Sequence, residues 1–562
     1  MRISFSEWTR SGSPWVWLNA GAVAISVIMV IGLLGLIAVR GLGHFWPADV
    51  LQATYSHAGQ ESVLVGELVE SEMVPAAQLR DSGIEVPEGV DHMQRDLFKV
   101  GNRDVTGADF VWAIDDHVTA RSYPETLFVA EREEWGNLYG YLRSIKQNGE
   151  LVGQYDGYDA GPEAAALWDE LQRRIERARD LHAQIESIQK GEIGAINYEI
   201  ERLRLKERSL ELKNVSDPAP YADIEARRAE LNTEYEALQG ELLELNQAMN
   251  RDSFTAEVAN GSTVEVQLSK VVRAFQPNAM GLFDKIGHYM AKIWEFVADD
   301  PREANTEGGI FPAIYGTVLM VILMSVMVTP FGVVAAVYLR EYAKQGFLTR
   351  VIRIAVNNLA GVPSIVYGVF GLGFFVYFLG GHIDDLFFPE AKPSPTFGTG
   401  GLMWASLTLA LLTVPVVIVA TEEGLSRIPR AVREGSLALG ATKAETLWKV
   451  VLPMASPAIM TGVILAIARA AGEVAPLMLV GVVKLAPSLP LDMNYPYLHL
   501  DQKFMHLGFH IYDVGFQSPN VEAARPLVYA TALLLVVVIA LLNFSAIAIR
   551  NHLREKYKAL EM

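Results

Sequence analysis

The stretch EGSLALGATKAETLWKVVLPMASP, residues 434–457, is a charged, amphipathic segment caught between two apolar runs of membrane length. Its spacing predicts a helix that runs to Leu439 and ends at Gly440, where a residue without a β-carbon takes up the left-handed conformation of a helix end. Thr442-Lys443-Ala444-Glu445 then fits a capping box and starts a second helix. Leu447, Val450 and Val451 form its apolar face, and Pro453 and Pro457 are expected to break it before the next hydrophobic run. The product is a pair of short helices joined by a glycine elbow at a membrane surface. On pattern alone it also fits an interfacial hairpin lying on lipid.

The composition suits a membrane protein carrying a large water-soluble piece: of 562 residues, 51% are hydrophobic and only 20% charged. The net charge of −18 argues against nucleic acid as a partner. With no cysteine the chain has no disulfide and no thiolate metal site, and it is compatible with either side of a bacterial membrane. Nothing in the sequence calls for a cofactor.

Trp15 begins an apolar run of about 25 residues, long enough to cross a hydrocarbon core of about 30 Å. It is too long for a signal-peptide core and lacks a small-x-small cleavage site, so it reads as a retained first span. Five more apolar runs have approximate limits 310–339, 352–379, 402–420, 458–483 and 526–549. Arg2 and Arg10 precede the first; Arg340, Lys344, Arg350 and Arg353 follow the second; Arg427, Arg430, Arg433, Lys443 and Lys449 follow the fourth; Arg550, Arg554, Lys556 and Lys558 follow the sixth. The loop after the third carries Asp384, Asp385 and Glu390 instead. The excess of cations on alternate loops predicts both termini in the cytoplasm, residues 41–307 outside, and the loop at about 423–457 inside.

Residues 41–307 form an insertion without a spanning run. β-prone runs at 62–65 and 126–129 and a hairpin signal at Asn260-Gly261 flank a helical segment, 163–250, whose apolar residues recur at heptad-like spacing. The expected shape is an antiparallel coiled-coil hairpin with its tip near Pro218. Its arms would be about 75 Å and about 45 Å long, so a break is expected near Gly191-Glu192-Ile193-Gly194. The amphipathic run 281–296, GLFDKIGHYMAKIWEF, is expected to lie in the membrane interface.

The chain contains no Gly-Lys dipeptide, so it has no phosphate-cradling G-x-x-x-x-G-K-[ST] loop, and ATP hydrolysis, if used, belongs to another chain. Gly368, Gly371 and Gly373 fit close helix packing better than a dinucleotide fingerprint. His506 and His510, four apart, lack the carboxylate a metal site would add. The unusual chemistry lies at 466–476, AIARAAGEVAP. Arg469 stands twelve residues past Pro457, hence ~18 Å into the membrane, where an arginine costs about 2.5–3.5 kcal/mol and must face protein or water. Glu473 is one helical turn on, and Pro476 is expected to kink the helix beside it. The two fit either an ion pair that holds helices together or a cationic site on an anion path, since guanidinium offers paired planar donors to a tetrahedral oxyanion.

Glu434, Gly440, Val450, Leu452 and Pro453 resemble, in identity and spacing, the coupling loop of ABC-importer permeases, with Gly435 and Ser436 where that family favours alanines. Residues 469–476 resemble the ARAxGExAP signature of the PstA family of phosphate-importer permeases. GGIFPAIYGT (308–317), GVPSIVYG (361–368) and HIYDVGFQSPNVEA (510–523) are similar to other segments of that family. The resemblance implies a permease core with six transmembrane helices, built from the first span and residues 308–562; with the inserted α+β extracytoplasmic domain read from the residues themselves, the expected fold class is mostly α. The resemblance also implies a second permease subunit, two ATPase subunits, an external phosphate-binding protein, and phosphate uptake across a bacterial inner membrane. It says nothing of the insertion. Importers of sulfate or molybdate, and a membrane-anchored coiled-coil adaptor or sensor, are the alternatives.

Overall fold

The computed structural model describes residues 11–57, 60–81, 84, 86–87, 89–518 and 521–557. Arg2, Arg10, Lys558, and Pro519 and Asn520 of the last family-like segment lie outside them. Among the described residues, six helices are long and apolar enough to span a membrane. They are α1 (Ser13–Gly43), α6 (Phe311–Tyr342), α8 (Ser364–Phe387), α9 (Leu402–Arg427), α11 (Lys443–Ala471) and α14 (Val521–Tyr557).

α9 is the hub, with 67% of its apolar window buried. Its Thr408 and Thr413 are fully enclosed, and their hydroxyls donate to the carbonyls of Trp404 (2.7 Å) and Leu409 (2.8 Å), so these two polar groups are satisfied within the helix. Small residues let α11 approach: a β-carbon on Gly462 would sit 2.6 Å from that of Ala420, and one on Gly424 2.5 Å from that of Ala458. α1 touches the core at its far end, where Gly41 lies against the backbone of Ala530, and is otherwise exposed.

Two span boundaries differ from expectation. The third span begins at Ser364, because Gly361-Val362-Pro363 ends a separate amphipathic helix, α7 (Phe347–Leu359). Its Arg353 pairs with Glu422 of α9 at 3.3 Å. The fifth span runs unbroken from Lys443 and stops at Ala471, so neither proline breaks it and residues 472–483 lie beyond it. A wide π-helical turn at Leu447–Val451, in which the Leu452 amide donates to the Leu447 carbonyl, precedes Pro453 and absorbs its steric demand. Pro457 brings no amide proton to the Pro453 carbonyl; the Ser456 hydroxyl donates to it instead, at 2.8 Å. Of the three glycines in the third span, Gly368 and Gly371 pack against neighbours, whereas a β-carbon on Gly373 would meet nothing within 4 Å.

Between α1 and α6 the chain builds two antiparallel sheets. The first has strand order β4-β3-β2-β1-β5, from β1 (Val50–His57), β2 (Gln60–Pro75), β3 (His92–Lys99), β4 (Phe110–Ile114) and β5 (Val118–Ser122). The second has order β10-β9-β7-β6-β11, with β8 beside β7. Its strands are β6 (Leu127–Arg132), β7 (Leu138–Gln147), β8 (Glu150–Gln154), β9 (Asp252–Glu257), β10 (Thr263–Gln267) and β11 (Val271–Phe275). Asn260-Gly261 lies in the β9–β10 turn, with Gly261 at φ 77°. β6 is buried on both faces: Leu127 and Val129 meet Val50 and Val65 of the first sheet, while Phe128 and Ala130 meet helix.

That helix is α2 (Pro162–Glu186). A π-helical turn at Ser187–Ile193 joins it to α3 (Gly194–Leu212), and α4 (Ala219–Met249) returns antiparallel. The expected break is thus a widened turn that bends the arm without ending it. The unequal arms fit because Leu167, Leu171, Ile175 and Ala178 of the longer one cover the second sheet, leaving the distal part to pair with α4. A helical hairpin therefore stands where the sequence predicts a coiled coil. α5 (Leu282–Ala298) leads to the second span; it buries Phe296 against Phe45 and Ile310 and exposes Phe283, Met290 and Trp294.

Candidate coupling loop and translocation segment

α10 (Arg430–Ala438) is capped by Leu439, and Gly440 follows at φ 90°. A β-carbon on Gly440 would meet nothing within 4 Å, so glycine is needed there for its backbone conformation and not for space. α11 opens with the expected box: the Glu445 amide donates to the Thr442 hydroxyl (3.2 Å) and the Thr442 amide to the Glu445 carboxylate (2.9 Å). Leu447 and Val451 pack inward on Leu425, Ile428 and Ala455. Val450, Leu452 and Pro453 are half-buried where the elbow becomes the span. Glu434, Leu437, Leu439 (91% exposed) and Trp448 (72%) face outward, and Glu434 has no polar partner among the described residues.

A clamp that sequence reasoning missed fixes the elbow to the C-terminal end of the second span. Arg433 binds Glu341 at 3.0 Å and donates to the carbonyls of Leu425 (2.7 Å) and Ile428 (2.9 Å). Lys443 donates to the Glu341 carbonyl at 2.6 Å and lies 4.3 Å from the centre of the Tyr342 ring. Ser436 and Thr446 close the elbow at 2.9 Å. The signal was the acid in the Leu339-Arg340-Glu341-Tyr342 run, which carries no spacing relation to residue 433.

Arg469 lies in the last turn of α11, and Glu473 lies beyond it in an irregular turn, so the two do not share a helix face as expected. They still pair, at 3.6 Å, too long for a hydrogen bond, with side chains 31% and 20% exposed. Arg469 makes no hydrogen bond among the described residues, so its donors remain available. The register set by Gly424 with Ala458 and Gly462 with Ala420, carried along the antiparallel helices, brings Arg469 opposite about Thr413, half-way along α9. The helix thus ends at mid-length of its neighbour, where freed backbone groups are tolerated only if they face protein or water. Pro476 kinks nothing; it starts α12 (Leu477–Val480).

Two of the family-like segments meet each other, and a third meets the start of the helix that opens the last. Gly368 packs on Pro476, joining 361–368 to 469–476. Gly316 packs on the Met505 carbonyl, and the Leu507 amide donates to Thr317 at 2.9 Å, joining 308–317 to the start of α13 (Leu507–Phe516). Burial lowers His506 to about 3 and His510 to about 4, so both imidazoles stay neutral, and the described residues hold no cluster of three metal-ligating side chains.

Residues 328–559 match the family of binding-protein-dependent transport system inner membrane components. The phosphate transport system permease protein PstA 1 of Mycobacterium tuberculosis is 36% identical over 245 residues, which cover 43% of this chain and 71% of that relative. This chain belongs to the PstA family. A probable PstA of Methanocaldococcus jannaschii is 32% identical over 189 residues (33% of this chain, 60% of the relative). A probable ABC transporter permease of Bacillus subtilis, YqgH, is 32% identical over 195 residues (34% and 59%). As a PstA-family member the chain is a multi-pass inner-membrane subunit of an ABC importer; it is a permease and not an enzyme, and ATPase activity belongs to partner chains.

Proposed function

We propose that this permease forms half of the path for inorganic phosphate into the cytoplasm. It pairs with a second, related permease, two ATPase subunits and an external phosphate-binding protein. Both termini and the 434–453 elbow lie in the cytoplasm, and residues 41–307 lie outside. The observation that carries the reading is the continuity of α11: a single helix, Lys443–Ala471, begins in the exposed elbow and carries Arg469 in its last turn. At 1.5 Å per residue the span is roughly 40 Å, so a shift of the elbow as the ATPases close is delivered to the guanidinium without a flexible joint.

Glu434, Leu437 and Leu439 present the ATPase with a carboxylate and an apolar tip, while Val450, Leu452 and Pro453 form the stiff joint to the span. Arg469 supplies charge and planar donors that offset dehydration of the anion, and Glu473 tempers that charge so that the anion can leave. The test is ATP-driven uptake by the reconstituted complex, with phosphate, sulfate and molybdate compared. Saturable uptake of phosphate and not of the other two is expected. Equal uptake of sulfate overturns the substrate assignment.

A further inference from the structure

Residues 472–484 carry the chain from Glu473 out to the loop before α13, and the insertion grips that loop at both ends. At the near end stands the turn Glu303–Asn305, at the insertion's exit. Two of its residues have left-handed backbone, Glu303 at φ 38° and Asn305 at φ 71°. Such conformations are costly for a side chain like glutamate and persist only where surrounding contacts enforce them. The contacts point in opposite directions. The Glu303 carboxylate accepts from the Arg103 guanidinium and from the Gly136 amide (2.8 Å), both in the insertion. The Asn305 amide, 1% exposed, donates to the Lys484 carbonyl (3.0 Å) and to Asp513 (3.4 Å) in the core. Lys484 closes the group by pairing with Asp513 at 3.1 Å. At the far end of the loop the hairpin takes hold: the Tyr198 hydroxyl donates to the Tyr495 carbonyl, Arg202 lies over the Tyr495 ring, and Tyr198 meets His499 edge-on at 5.7 Å.

We propose that Glu303 and Asn305 are positioning residues through which the insertion sets the placement of residues 472–484, and with them Glu473. The insertion is then part of the transport machinery, and a force or ligand acting on it reaches the path through this turn. Simple tethering does not need it: the chain is already covalently joined to α6, and a turn used only as a connection has no reason to hold two left-handed residues or a buried amide aimed at the Lys484 carbonyl. The proposal rests on reading 472–484 as part of the path.

The absence of cysteine allows a direct test in the full chain within its assembled complex. Ala475→Cys, as the sole thiol, is labelled with a membrane-impermeant maleimide in the resting state, with no substrate present. Asn305→Asp brings a carboxylate against Asp513 and the Lys484 carbonyl, and is expected to change the labelling rate by about fivefold or more while complex yield holds. Exchanging the pair, Asn305→Asp with Asp513→Asn, restores a donor to the 305–513 contact but leaves a carboxylate against the Lys484 carbonyl, so the rate should return only part of the way to the parent. Glu303→Gln, which weakens only the insertion side, should shift the rate in the same direction as Asn305→Asp. If Asn305→Asp prevents assembly, Glu303→Gln decides alone. An unchanged rate in assembled variants, or an exchange that moves the rate further from the parent, overturns the proposal. Labelling is read without phosphate, so a wrong substrate assignment leaves this outcome untouched.

Discussion

Glu341→Gln should weaken transport by loosening the elbow and not by touching either ATP or anion. The Arg433–Glu341 pair is largely enclosed, with side chains 20% and 14% exposed, and a hydrogen bond to a charged group is worth about 1.5–3 kcal/mol net. Arg433 keeps its bonds to the Leu425 and Ile428 carbonyls, and Lys443 bonds to the residue-341 backbone, so neither cation is stranded. The remaining loss, discounted for partial solvent access, is about 1–2 kcal/mol of elbow order. Where docking selects the ordered elbow, the ratio of ordered to disordered elbow falls by about 5- to 30-fold. The assay is uptake by reconstituted permease as ATPase subunit is titrated. A docking defect moves the titration to higher ATPase concentration and leaves the plateau intact. A lowered plateau with an unmoved midpoint, or no effect, refutes the clamp.

Glu434→Arg reverses an exposed, unpartnered charge, and Gly440→Pro imposes a φ near −65° where 90° is needed. Both should uncouple ATP hydrolysis from uptake in protein that still inserts, and full transport in both would sink the docking assignment. Leu171→Ala should cost the insertion about 2–5 kcal/mol, because this fully buried side chain joins the hairpin to the second sheet; limited proteolysis of residues 41–307 should accelerate, and unchanged resistance contradicts the packing. The pH dependence of the insertion's attachment follows from Glu131. Burial alone would raise its pKa, but Lys292 and Arg273, with the Lys292 hydrogen bond at 2.8 Å, outweigh that and hold it well below the ordinary 4.5. A lowered carboxylate pKa gives stability that is fully present above pH 4.5 and lost as pH falls towards the folded value. Thermal stability of the insertion should therefore hold from pH 7 to about 5 and decline below. Lys292→Met moves the folded value up towards 4.5, so the acid decline should shrink and end at higher pH, and parallel pH profiles for the two proteins would contradict the assignment.

Local chemistry made the elbow legible. Gly440, Thr442 and Glu445 act within a few residues of one another, so chain spacing alone specifies their geometry. The six spans were legible because apolar length is a property of composition, and Pro363 set one boundary that hydropathy alone misjudged. What spacing did not reveal depended on one local side-chain contact and, beyond it, on distant partners. Ser456 satisfies the carbonyl that Pro457 leaves free, so a helix expected to break continues. Beyond the end of α11 at Ala471, Pro476 packs on Gly368, more than one hundred residues earlier. The Glu341 clamp and the Glu303–Asn305 turn join parts of the chain whose closeness arises only in the fold. The helical hairpin was legible from its apolar repeat, but its footing on a β-sheet was not, since the same leucines serve a helix partner or a sheet equally well.

The most direct test of the central claim is phosphate uptake per assembled complex in Arg469→Gln, read beside Glu473→Gln. A neutral amide at 469 keeps hydrogen bonding but removes the charge that offsets dehydration of the anion. Arg469→Gln should therefore lose uptake sharply at unchanged complex yield, while Glu473→Gln stays partly active. Equal loss of assembly in both variants, with uptake per assembled complex unchanged, would make the pair scaffolding and remove Arg469 from the phosphate path.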